Sequence, residues 1–219
     1  LSTGYYLALK GHDVTIYEKE KDIGGMLRYG IPRYRLPVDI LEKDIERIMQ
    51  SGVKIKTNIN IGKDIPFESL MEEGADSVFI STGLSKSKRL PISIDDSENI
   101  HYGVEFLRKF EYNEIPLEHF KSKNVVIIGG GNVATDAART AVRLQAESTK
   151  LICLENRDEM PAYPQEIKES LEEGIEIMNS WGIDSIGKNN DKIGVELKSC
   201  TNVFDPNGKF NPKYDESVK

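Results

Sequence analysis

The sequence predicts an α/β fold of two wound parallel-sheet domains, and three observations carry that prediction. A helix end, a glycine and a strand recur in that order four times. The apolar run Val125-Val126-Ile127-Ile128 leads directly into Gly129-Gly130-Gly131-Asn132-Val133-Ala134. Two acidic residues, Glu18 and Glu155, each close a strand that follows a helix. Helices alternating with strands through glycine turns are the mark of wound sheets.

The four repeats set the element order. Residues 5–10 end at Gly11 ahead of a strand at 14–18, and 48–51 end at Gly52 ahead of 53–55. Residues 70–73 end at Gly74 ahead of 77–81, and 170–173 end at Gly174 ahead of 175–177. Glycine just past a helix accepts the left-handed backbone that closes off the last carbonyls. Ile40, Leu41, Ile45, Ile48 and Met49 recur at helical spacing and read as a core-facing stripe. The polar stretch 91–101, with Asp95, Asp96, Ser97 and Asn99, reads as a connector, followed by a short helix over 103–110. A domain boundary is therefore placed near residue 100, giving domains 1–100 and 101–219. Beyond it the strongest strand spans 124–128, then a helix 133–145 and a strand 150–154. Residues 181–201 read as short strands around a turn at 187–191, and Asp205-Pro206-Asn207-Gly208 is a further turn.

Composition excludes several classes. The 219 residues carry 29 Lys+Arg against 36 Asp+Glu, a net charge of −7 that argues against nucleic acid as a partner. The one basic cluster, Lys86, Lys88 and Arg89, reads as a solvated turn. No apolar run approaches the roughly 20 residues of a membrane helix, so no membrane partner is expected. Cys153 and Cys200 lack metal-ligand spacing, so no metal site is expected from them. Reduced thiols suit a cytoplasmic protein. The chain opens on Leu1 inside a helical pattern and is expected to be a piece of a longer one. His12, His101 and His119 read as solvated, and Trp181 and Met178 as core.

The run at 124–155 carries the chemistry. In GxGxxA, Gly129 makes the tight turn, Gly131 lets a pyrophosphate approach the backbone, and Ala134 lets helix and strand pack closely. The helix N-terminus then points its free N–H groups at phosphate. Glu155 accepts hydrogen bonds from ribose hydroxyls and repels a 2′-phosphate, which favours NAD(H) over NADP(H). Arg157, two residues on, is placed to reach such a phosphate. Asp136 reads either as orienting a nearby loop or as an acid favoured by the helix dipole. Earlier, Glu18 is placed for a second ribose, Gly24 and Gly25 for close cofactor approach, and Arg28 for a phosphate. The strand 77–81 ending in Thr82-Gly83 is placed where the chain passes a bound cofactor.

These segments together resemble the small subunit of glutamate synthase and its relatives, including the flavin half of dihydropyrimidine dehydrogenase. The match runs through Glu18, residues 24–32 (GGMLRYGIP), Arg35-Leu36-Pro37, Ser81-Thr82-Gly83, Gly103-Val104-Glu105-Phe106-Leu107, the 129–134 turn with Asp136, and Met160-Pro161-Ala162. The resemblance implies two Rossmann-like dinucleotide-binding domains: an incomplete FAD domain and an inserted NAD(P) domain. It implies flavin contacts from Glu18, Gly24, Gly25, Met26, Leu27, Arg28, Leu36, Val53, Thr82 and Gly83. The nicotinamide contacts would come from Gly129, Gly130, Gly131, Asn132, Val133, Ala134, Glu155, Asn156 and Arg157. The family's leading flavin turn, its C-terminal Gly-Asp segment and its cysteine-rich iron–sulfur module lie outside this sequence. Members that use NADPH tend to carry an Arg pair where Leu154 and Glu155 stand, which again points to NADH.

The implied reaction passes hydride from NAD(P)H to FAD and electrons onward to an iron–sulfur or flavin partner. No acid–base triad is expected, because the cofactors carry the chemistry. No cysteine pair stands near Gly24–Gly30, which argues against disulfide reduction. A different class, a nucleotide-binding module that senses without catalysis, is the alternative.

Overall fold

The computed structural model describes residues 1–90, 99–189, 192–215, 217 and 218. Most of the expected connector, 91–98, and part of the expected turn, 190–191, lie outside the described residues. The chain forms two units, Leu1–Ser85 and Lys86–Lys219. Residues 86–90 belong to the second unit, where Ser87 anchors them. Its Oγ donates to Glu105, its backbone N–H donates to the same carboxylate at 3.1 Å, and its Oγ accepts from Val104 N–H at 3.1 Å. Arg89 lies over the Tyr102 ring, 4.0 Å from its centroid.

In the first unit, helix α1 (Ser2–Leu9) leads to strand β1 (Thr15–Tyr17). A short helix α2 (Met26–Tyr29) and a longer α3 (Val38–Gln50) lead to β2 (Lys54–Lys56), which pairs parallel with β1. Helix α4 (Ser69–Glu72) follows. Gly11, Gly52 and Gly74 have φ of +88°, +94° and +96°, as their place past a helix end requires. The core stripe of α3 is narrower than expected. Leu41 and Ile45 are buried, Ile48 is half-buried, and Ile40 and Met49 are exposed. The neighbours of α3 are the short helices α1 and α2.

The expected strand at 77–81 does not form. Phe79 and Ile80 are each 67% exposed, and no strand among the described residues pairs with them. A β run needs a neighbouring ladder to satisfy its backbone, and among the described residues the sheet here pairs β1 with β2 only.

In the second unit, α5 (Gly103–Glu111) precedes β3 (Asn124–Ile128), α6 (Asn132–Arg143) and β4 (Ser148–Ile152). Helix α7 (Pro164–Glu172) and β5 (Glu176–Met178) complete a parallel sheet in the order β3-β4-β5. A continuous apolar run suits a strand buried on both faces, but β3 is not one. It is an edge strand, and Val126 and Ile128 are 40% and 37% exposed while Val125 and Ile127 pack inward. Two apolar clusters flank α6: Phe106, Leu107, Ala137, Ala141 and Leu144 on one side, and Ala138, Leu151, Cys153, Met160 and Ile175 on the other. The small residues of α6 let it lie close to the sheet.

An ionic cluster fixes α7 against α6. Arg139 reaches Glu169 at 2.5 Å, Glu173 at 2.8 Å and Glu166 at 3.3 Å, and Arg143 reaches Glu173 at 2.6 Å. Burial alone would raise the Glu173 carboxyl, but the hydrogen bonds from Arg143 and Arg139 hold it below its ordinary value.

A second, antiparallel sheet follows: β6 (Trp181–Asn189), β7 (Lys192–Phe204) and β8 (Phe210–Asp215). These are two long strands and a third, where the sequence suggested only short pieces. The turn at 205–208 forms as expected. Asp205 Oδ1 accepts from Asn207 N–H at 2.9 Å and Lys209 N–H at 3.0 Å, with Gly208 at φ +75°. Trp181 and Met178 are half-buried rather than fully core.

The histidines divide. His12 is exposed as expected. His101 and His119 are half-buried and face each other, which corrects their reading as solvated. Burial first, then the neighbouring positive charges, hold both imidazoles below their ordinary 6.5.

Candidate functional site

The best-formed site lies in the second unit, where β3 turns into α6. Gly129 takes φ +134°, a backbone state that side chains disfavour, so the strand reverses within one residue. A Cβ on Gly129 would lie 3.5 Å from Ala134 Cβ, which shows how closely turn and helix pack. Gly131 caps α6 with an extended backbone, and its N–H and those of the next residues open the helix. A Cβ on Gly131 would meet nothing nearer than Pro161 Cγ at 3.9 Å. The space beside Gly131 is therefore open, while the space beside Gly130 is filled. A Cβ there would lie 2.7 Å from Glu155 Oε2 and 3.0 Å from Cys153 Cβ.

Glu155 does not close its strand as expected. Strand β4 ends at Ile152, and Cys153 alone prolongs the pairing with a shift of register: its N–H donates to Met178 O at 3.1 Å and its carbonyl accepts from Trp181 N–H at 2.9 Å. The residues after it carry Glu155 back over the glycine turn. Its carbonyl accepts from Ser180 N–H at 3.0 Å and Asn179 Nδ2 at 3.1 Å, which fixes the backbone there. Asn156 turns the chain away. Its Oδ1 accepts from Asp158 N–H at 3.0 Å and Glu159 N–H at 3.1 Å and so caps a 3-10 turn, Arg157–Glu159. Arg157 is exposed on that turn.

Sequence reading alone did not find what closes the site from the far side. Ala162 N–H donates to Gly130 O at 3.0 Å, and Tyr163 N–H donates to Asn132 Oδ1 at 2.9 Å. The 156–163 loop is thus tied to the glycine turn at two points. No local signal encodes a pairing across 31 positions. Val133 is exposed at the start of α6, and Asp136 is buried one turn further along. Cys153 lies beneath the turn. Burial, and then the Glu155 charge, push its thiol up to about 11, so it is not a nucleophile near neutral pH.

The first unit brings together part of its expected site. Gly24 and Gly25 take φ of +126° and +56°. A Cβ on Gly24 would press on Arg28 Cβ at 3.1 Å and Leu41 Cδ2 at 3.2 Å, whereas Gly25 borders open space. Met26 and Leu27 are exposed beside it and Leu36 is half-buried. Arg28 Nε donates to Ile23 O at 3.0 Å, and its guanidinium pairs with Glu42 at 2.7 Å. The bond to Ile23 O fixes the 23–28 turn. Glu18 follows β1 and its Oε1 accepts from Glu20 N–H at 3.0 Å. Thr82 and Gly83 are exposed, Gly83 at φ +66°. Val53 is buried, so its side chain belongs to the core.

The glycine turn fits a dinucleotide diphosphate: an open face at Gly131, a helix N-terminus beside it, and a carboxylate across the turn at Glu155. No helix among the described residues is long and apolar enough to cross a membrane.

Comparison with known proteins agrees with this geometry. The chain is 42% identical over 177 residues to the NADP(+)-dependent formate dehydrogenase subunit beta of Moorella thermoacetica, covering 80% of this chain and 25% of that protein. It is 35% identical over 181 residues to the NAD-dependent dihydropyrimidine dehydrogenase subunit PreT of Escherichia coli K12, covering 83% of this chain and 43% of that one. The chain thus spans a quarter to under half of these relatives. Among solved structures, Mycobacterium tuberculosis FprA in complex with NADPH superposes with a TM-score of 0.81 over 98% of this chain and 64% of its own. At 14% identity that likeness shows the shared fold of Rossmann-type sheets. The sequence pattern of the pyridine nucleotide-disulphide oxidoreductases matches residues 1–205, and the chain belongs to that family of NAD(P)H- and FAD-dependent oxidoreductases, which takes in glutamate-synthase-small-subunit-like and dihydropyrimidine-dehydrogenase-like members.

Proposed function

We propose that this chain supplies the pyridine-nucleotide site, and part of the flavin site, of an oxidoreductase that moves a hydride from NADH to FAD. Electrons then pass to an iron–sulfur or flavin-containing partner. The observation that carries this reading is the turn at 129–131, with one glycine face open and the other filled by Glu155. When bound, the nicotinamide and flavin supply the hydride chemistry themselves. The chain's residues bind and orient. Gly131, Asn132 and the following N–H groups receive the diphosphate. Asn132 keeps its side chain on Tyr163 and so holds the opposite wall in place. Glu155 accepts from the ribose hydroxyls.

The preference for NADH rests on Glu155, because a carboxylate that accepts from the ribose hydroxyls repels a 2′-phosphate. Relatives named for either nucleotide are known, the Moorella subunit for NADP(+) and PreT for NAD. Arg157 is exposed two residues on and is the one cation of the 154–157 stretch. Support for an electron-accepting partner comes from the relatives, among them the NADPH-Fe(3+) oxidoreductase subunit beta of Geobacter sulfurreducens, 40% identical over 180 residues. In the first unit, the support for FAD is the open face of Gly25 with Met26, Leu27 and Thr82 exposed.

Replacing Glu155 with Ser tests the nucleotide assignment. We expect NADH to bind roughly tenfold more weakly, the worth of about one charged hydrogen bond, and NADPH to bind more tightly. Equal NADH and NADPH affinities in the unaltered chain contradict the role given to Glu155.

A further inference from the structure

Tyr163 is tied to the glycine turn through its backbone, whose N–H donates to Asn132 Oδ1 at 2.9 Å, while the residue as a whole is 66% exposed. A tyrosine ring is a large apolar surface, and leaving it in water forgoes its burial. Residues 160–163 alternate: Met160 and Ala162 are buried, and Pro161 and Tyr163 are exposed. Both ends of this segment are extended, Met160 at φ −57° and ψ 129°, Tyr163 at φ −59° and ψ 139°. In an extended chain every second residue shares a face. Pro161 shows which face this is, because its Cγ is the nearest atom to the position a Cβ would take on Gly131, at 3.9 Å. Tyr163 therefore leaves the chain on the side of the open face of Gly131. Pro164, in the first turn of α7, confines Tyr163 to its extended state, and Tyr163 O accepts from Ile167 N–H at 3.1 Å. The ring is thus presented from a fixed backbone.

The loop that carries it flanks one half of the site. It starts at Glu155 and returns to the turn, where Ala162 N–H donates to Gly130 O at 3.0 Å. Gly130 is also the residue whose face Glu155 fills. A carboxylate in the place of Glu155 takes the ribose whose 2′ position distinguishes NAD from NADP, which is the ribose of adenosine. We propose that the Tyr163 ring is a stacking platform for the adenine of the bound nucleotide, an inference that rests on the nucleotide reading of the β3–α6 turn. With the diphosphate at Gly131 and the ribose at Glu155, the adenine falls beside the 156–163 loop. Stacking of a base on an aromatic ring uses the ring face and not the hydroxyl. Tyrosine supplies that face at low entropic cost, with only two χ angles to fix.

The test is equilibrium titration of the 219-residue chain and its variants with NADH and with ADP-ribose, which keeps the adenosine and diphosphate and lacks the nicotinamide. Tyr163→Ala should bind both about tenfold more weakly, the worth of one base stacked on an aromatic ring. Tyr163→Phe should bind both as the parent does. Each variant should melt as the parent does, because the side chain lies in solvent and the bond to Asn132 uses the backbone N–H. Tyr163→Ser, a better cap for α7, decides if the alanine chain melts lower. A parent that binds NADH, with the alanine or serine chain binding it as tightly, overturns the stacking role and leaves the nucleotide site standing. Equal losses in Tyr163→Phe and Tyr163→Ala also overturn it, since they assign the hydroxyl and not the ring face. A parent that binds neither NADH nor ADP-ribose overturns the nucleotide reading itself, and the stacking role with it.

Discussion

Replacing Gly131 with Ala separates a glycine kept for packing from one kept for a ligand. In the unliganded chain the new methyl group meets only Pro161 Cγ, at an ordinary 3.9 Å. The residue's φ of −94° is open to alanine, so no backbone strain arises. Alanine is a poorer helix cap than glycine by some tenths of a kcal/mol. Removing a glycine from the unfolded chain returns about 0.4–1 kcal/mol. The two nearly cancel, and thermal stability should stay within about 2 °C of the parent. Nucleotide binding should not survive as well. The methyl group occupies the open face where the diphosphate reaches the α6 N–H groups, and each charged hydrogen bond lost there costs about 1.5–3 kcal/mol. NADH should therefore bind roughly ten- to a hundredfold more weakly, as read by titration of nucleotide fluorescence. Gly130→Ala should behave in the opposite order. Its methyl group collides with buried Cys153 and with Glu155, so overpacking of about 1–3 kcal/mol appears in the melting curve first. A Gly131→Ala chain that binds NADH like the parent refutes the assignment of the open face.

Two further outcomes follow from the second unit. Replacing Arg139 with Met leaves Glu166, Glu169 and Glu173 facing one another without their shared cation, and should cost about 3–5 kcal/mol. Urea unfolding measures this, and a loss below about 1 kcal/mol contradicts the cluster's role. The Cys153 thiol, pushed up to about 11, should resist iodoacetamide at pH 8 in the folded chain and react once the chain is unfolded in urea, as mass spectrometry would show. Rapid labelling of folded Cys153 at that pH contradicts the burial assigned to it.

The glycine turn was legible because its chemistry is local. Strand, turn and helix follow one another within about a dozen residues, and Gly129, Gly131 and Ala134 each serve a neighbour in the chain. The same holds for Gly11, Gly52, Gly74 and Gly174, each in the left-handed backbone past a helix. What failed to read was whatever depends on a distant partner. The apolar run at 77–81 has every property of a strand except a neighbour, and it stays exposed. Val126 and Ile128 belong to a β-branched run, yet they lie on an edge strand. Arg28 pairs with Glu42 on the next helix, a contact that their spacing in the chain does not announce. Tyr163 and Asn132, which close the site, meet across a loop whose path no local pattern sets. His101 and His119 were read apart because nothing in their spacing announces that α5 folds them together.

The central question is whether this chain binds a reduced pyridine nucleotide at the β3–α6 turn. Equilibrium titration of the 219-residue chain with NADH and with NADPH measures it. One saturable NADH site, tighter than that for NADPH, is the predicted result. A chain that is folded by circular dichroism and binds neither nucleotide would contradict it.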